Sequence, residues 1–106
     1  MSTNSNFSLN VQVLNIATNM GRIGGWVFDS YDSKSKLITR FLDETDIFVR
    51  DLENEKISEE FRPTLEMFKK EFYRLKSEEV NQENKLAWAE KALTWANILQ
   101  HRAKLA

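Results

Sequence analysis

The chain has 106 residues, 42% hydrophobic, 29% charged and 11% aromatic, with a formal net charge of −1 and no cysteine. That length holds one domain and one core, and the aromatic content excludes a disordered chain. The near-neutral charge argues against a nucleic-acid partner, and the missing cysteine excludes disulfides and thiolate metal sites and fits a reducing cytoplasm.

The opening MSTNSNFSLN lacks the basic and apolar regions of a secretory signal. Residues 1–7 read as a flexible N-terminal tail ahead of a single helical domain, 8–106. The first helix is expected from Ser8, its N-cap, to Phe28. Leu9, Val13, Ile16, Met20, Ile23 and Val27 recur at steps of four and three, which gathers them on one stripe. No apolar run reaches the ~20 residues of a bilayer span, so no membrane partner is expected.

DSYDSKS clusters turn-formers, which places a connection near Ser30 to Ser33. A second helix follows, from Ser33 to Asn54. Its face carries Leu37, Phe41, Thr45, Phe48 and Leu52, widened by Ile38, Leu42 and Val49. Asp46 precedes Arg50 by four residues, the favourable order for a surface pair.

Pro63 belongs in a first helical turn, not an interior. The third helix therefore begins at Arg62 or Pro63, or Ser58 to Pro63 is a separate turn. Leu65, Phe68, Phe72 and Leu75 form its stripe, flanked by Met67 and Tyr73, and it ends between Lys76 and Val80.

The fourth helix is expected from Asn81 or Gln82 to Lys104. Written in sevens it reads LAWAEKA, LTWANIL, QHRAKLA. Trp88, Trp95 and Arg102 share one column; Ala89, Ala96 and Ala103 share the next. Such spacing marks a helix packed along a nearly parallel or antiparallel neighbour. The economical fold is all-α, an antiparallel four-helix bundle, either self-contained or completed by dimerisation.

All three glycines fall in NMGRIGGWVFD. Each costs a helix interior roughly 1 kcal/mol relative to alanine, so a loop or a packing reason is required. Three readings stand. Ala17, Gly21 and Gly24 could pack closely on Ala89 and Ala96; the helix could break at Gly24-Gly25; or the stretch could cradle a ligand. The last lacks both phosphate-loop patterns.

Catalytic signals are absent. His101, the one histidine, sits at a helix end and reads as solvated. No His-Glu pair has metal-ligand spacing, and no nucleophile has a base and an orienting acid. No cofactor or metal is expected, and the chain is not read as an enzyme. Inward arginines would be needed for anion chemistry, and Arg40 and Arg50 read as partners of nearby acids.

Charge is uneven. Asp43 to Glu60 carries eight acidic and two basic residues, while Arg62 to Lys76 carries five basic and two acidic. Neutralisation between neighbouring helices is one account; an acidic docking end is another.

Trp26 projects away from the first helix's stripe, and large aromatics are enriched at interfaces. The candidate interface is therefore Trp26, Trp88, Trp95 and Arg102. The functional expectation is a noncatalytic protein–protein interaction module in the cytoplasm, a homodimer or an adaptor. The alternative is a small-molecule binding or sensing domain with an interhelical pocket.

Overall fold

The computed structural model describes residues 4–106. Three helices carry the chain: α1, Leu9–Glu53; α2, Arg62–Ser77; and α3, Lys85–Arg102. Short 3-10 turns precede and follow them at Asn4–Asn6 and Ala103–Leu105, and no strand occurs among the described residues.

The count is three helices, not the expected four. Straight, the 45 residues of α1 would span about 68 Å. The longest dimension of the molecule is 39 Å. The helix is therefore folded, and the fold lies at Ser30, whose φ of −144° and ψ of 34° leave the helical region. The expected connection from Ser30 to Ser33 shrinks to this one residue. DSYDSKS contains neither glycine nor proline, so nothing forces a longer departure from helix.

The two arms of α1, residues 9–29 and 31–53, run antiparallel. Asn19 Nδ2 donates to Glu44 Oε1 at 3.0 Å and to Thr45 Oγ1 at 3.2 Å across the seam. Trp26 meets Phe41 edge-on, with ring centroids 5.1 Å apart. The six stripe residues of the first arm, except partly buried Leu9, are buried in the core. The second arm contributes Ile38, Val49 and Leu52.

The expected tail, 1–7, lies partly outside the described residues. Within them Asn4 is buried, and its Oδ1 accepts from Asn15 Nδ2 at 2.7 Å.

The acidic second arm lies against basic α2. Lys69 pairs with Glu53 at 2.8 Å, and Lys76 with Asp43 at 3.4 Å and Asp46 at 3.5 Å. Tyr73 donates its hydroxyl to Asp46 at 2.9 Å, and Arg50 Nε reaches the same carboxylate at 3.1 Å.

Helix α2 begins at Arg62 with Pro63 in its first turn. Ser58 helps close the approach to it: its Oγ accepts from the Phe61 amide at 3.1 Å and donates to the Leu105 carbonyl. Helix α3 starts later than expected, at Lys85. Asn81 Oδ1 accepts the amides of Glu83 at 2.8 Å and Asn84 at 3.0 Å, and Asn84 Oδ1 accepts the Asn81 amide at 2.7 Å. These local bonds compete with helix and hold a turn instead. At the other end α3 stops at Arg102, short of the expected Lys104, and tightens into the 3-10 turn.

Candidate interaction groove

The seam between α1 and α3 collects the small residues. A Cβ built at Gly24 would fall 2.8 Å from Leu93 Cγ and 3.2 Å from the Ala89 carbonyl oxygen. At Gly21 it would meet Ala96 Cβ at 3.8 Å, an ordinary contact. Ala17 and Ala89 are buried. Gly25 faces open space, with nothing within 4 Å. The helix runs unbroken through Gly24-Gly25, which removes the break and leaves no glycine loop to cradle a ligand.

The candidate interface residues do not come together. Trp88 is only 2% exposed, and its indole Nε1 donates to the Leu75 carbonyl at 3.0 Å. It is a core residue and leaves the interface list. The heptad column explains this, because it faces α2 across the bundle rather than solvent. Trp95 is 8% exposed and packs on Phe68, with centroids 5.6 Å apart. Trp26 is half-buried on Phe41 between the arms of α1, where Arg22 also stands 5.9 Å over the Phe41 ring. Only Trp95 and Arg102 share a surface feature.

That feature is an open groove of about 730 Å³ between α2 and α3. Met67, Thr94, Trp95, Ile98, His101 and Arg102 line it. Met67 is the most exposed large hydrophobic residue described, at 62%. Arg102 Nε donates to Thr64 Oγ1 at 2.8 Å, which ties the two walls together at one end. His101 is exposed, and its Nδ1 donates to the Asn97 carbonyl at 2.9 Å. A hollow of about 270 Å³ shares Thr94 and Trp95 and continues toward Glu71, Glu90 and Lys91.

The sequence reading reached two residues of the groove, Trp95 and Arg102, but not its α2 wall of Pro63, Thr64 and Met67. Met67 was visible only as a neighbour of the α2 stripe. Thr94, Ile98 and His101 recur at steps of four and three, a flank signal overshadowed by the tryptophan column.

Burial, with the hydrogen bond to Asp46, pushes the Tyr73 phenol up, and the bond to Glu53 raises Lys69. Both groups belong to the ion-paired seam between α1 and α2, outside the groove. No group of three or more His, Asp or Glu able to hold a metal occurs among the described residues. No described helix is long and apolar enough to cross a membrane. The chain matches no protein-family model, no curated protein and no solved structure.

Proposed function

We propose that the protein is a noncatalytic interaction module that docks a protein surface along the α2–α3 groove. The observation that carries this is Met67, 62% exposed at the lip of a groove floored by Trp95 and Ile98. Exposing a large flexible apolar side chain beside an aromatic floor suits a recognition surface. Grooves between helices commonly receive an apolar helix face. In this reading the two arms of α1 act with α2 and α3 as four rods of a bundle that holds the groove rigid. A cytoplasmic setting, consistent with a chain that has no cysteine, belongs to the same proposal.

A second reading rests on the groove's size. Its volume, about 730 Å³, lies within the range of small-molecule sites. With His101 and Arg102 at one end, such a ligand would be apolar and anionic.

Native mass spectrometry of the protein purified gently from its own host separates the two. The interaction module predicts a dimer or a complex with another protein, lost in Met67→Glu while helicity by circular dichroism is kept. A monomer carrying a stoichiometric small mass would replace this reading with the second.

A further inference from the structure

We infer that this protein has a second form, in which Ser30 becomes helical, α1 straightens and two copies exchange their first arms. The docking groove is not needed for this. The hinge is one residue, in a stretch without glycine or proline. Counted at about 100° per residue from Trp26, the buried stripe Val13, Ile16, Met20, Ile23 and Val27 occupies about 60° to 140° around the helix. Ile38, Val49 and Leu52, buried in the second arm, fall at about 120°, 140° and 80° in the same count. The seam agrees too: Asn19 and Trp26 stand at about 20° and 0°, and Phe41 and Glu44 at about 60° and 0°. A hairpin does not require this, because a reversal of another length would enter the second arm at another angle. The two arms therefore carry the pattern of one continuous amphipathic helix of about 68 Å, interrupted at Ser30 alone.

Straightening uncovers the stripes of both arms, so the open form is stable only when paired. A second copy supplies the cover. The midpoints of the pairs Asn19–Thr45 and Trp26–Phe41 lie between Asp32 and Lys34. Two straight helices laid antiparallel about a two-fold axis at that level restore both pairs between copies. The first arm of one copy then packs on the second arm, α2 and α3 of the other, and Gly24 again meets Leu93. Ser30 and Ser33 fall at about 40° and −20°, on the seam side, so small side chains stand where the two helices cross. The closed and exchanged forms share their contacts. Concentration and the helix preference of residue 30 therefore decide between them. Because α2 and α3 stay within one chain, the exchanged dimer presents two grooves.

Refolding from urea over a micromolar-to-millimolar series, followed by sedimentation velocity, tests the exchange. The dimer fraction should rise with the protein concentration during refolding. Ser30→Ala and Ser30→Gly read the hinge. The dimer holds two straightened hinges, so the helix preference of alanine over glycine counts twice, about thirtyfold in the dimer dissociation constant. Spin labels on a Thr18→Cys/Ile47→Cys chain separate exchange from plain association. Both positions are exposed, and the chain has no native cysteine. They stand on one edge of the seam, at about −80° and −60°. Refolding the labelled chain with excess unlabelled protein leaves only the distance within one chain to be read. It should lengthen from that of arms lying side by side to about 44 Å, the span along a straight helix. A protein that stays monomeric throughout overturns the inference. So does a dimer whose labels stay close, and so do equal constants for the two Ser30 variants. Met67→Glu should leave the exchanged dimer unchanged; an association that it abolishes belongs to the groove and overturns the exchange.

Discussion

Gly24 of α1 lies so close to Leu93 of α3 that no side chain fits between them. A Cβ at residue 24 would sit 2.8 Å from Leu93 Cγ and 2.9 Å from its Cδ2, with the Ala89 carbonyl oxygen at 3.2 Å. Alanine would gain roughly 1 kcal/mol in helix propensity. It would also force Leu93 aside and press on backbone, and overpacking of this kind costs about 1–3 kcal/mol. Gly24→Ala should therefore be net destabilising by about 1 kcal/mol in urea denaturation. Combined with Leu93→Ala, which opens the space, the two changes should be clearly non-additive.

Gly25 is the opposite case, one residue away. It is helical and has nothing within 4 Å of a built Cβ. Gly25→Ala should raise stability by about 0.5–1 kcal/mol. Thermal unfolding should show a midpoint a few degrees higher. An unchanged or lower midpoint would mean that the open space is occupied in solution.

Trp88 is held by its indole bond to Leu75 as well as by packing. Trp88→Phe should cost about 2–3 kcal/mol from the lost bond and the residual cavity. The Leu75 carbonyl keeps its bond from the Glu78 amide at 3.2 Å, so it is not orphaned. Because the residue lies inside the fold, chemical denaturation should register the change while the state of association of the folded protein stays as it was.

Tyr73 gives the protein an alkaline limit. Burial first, then its hydrogen bond to Asp46, raises the phenol above its ordinary value. The unfolded phenol titrates near ~10. The stabilisation tied to the protonated form is thus present in full below about pH 10 and is lost as pH rises through the folded-state value. There are two tyrosines, so Tyr31→Phe leaves Tyr73 alone in the phenolate absorbance. Its midpoint should lie above about 10 in the folded protein and fall to that value in denaturant. Tyr73→Phe should flatten the loss of stability on the alkaline side.

Helical character and the buried stripes were legible because period and composition agree. Val13, Ile16, Met20, Ile23 and Val27 are apolar at helical spacing and all lie in the core. Pro63 dated the start of α2 through its missing amide. What could not be read were the features set by three-dimensional neighbours. Ser30 carries the whole reversal of α1, yet nothing in its own chemistry separates it from Ser33 or Ser35. Trp26 leaves the stripe of its own arm because Phe41 of the other arm receives it. The exposure of Met67 depends on how far α2 and α3 splay, a distance no single-helix periodicity contains. The tryptophan column showed its regularity but not its direction, and Trp88 is therefore interior.

The hinge at Ser30 also governs how this chain tolerates changes in length. An ordinary exposed connection, such as the segment between Ser77 and Lys85, has surface residues among which an extra one is absorbed locally. At Ser30 there is a single non-helical residue and no slack. A residue inserted directly after it must either be wound into the second arm or unseat the reversal. Winding it in turns everything downstream by about 100°. Ile38, Val49 and Leu52 would then rotate out of the core together, and the row of carboxylates that meets Lys69 and Lys76 would go with them. One position of one serine thus sets the reading frame of half the bundle, whereas a residue added in the exposed link between α2 and α3 should leave both arms of α1 in register.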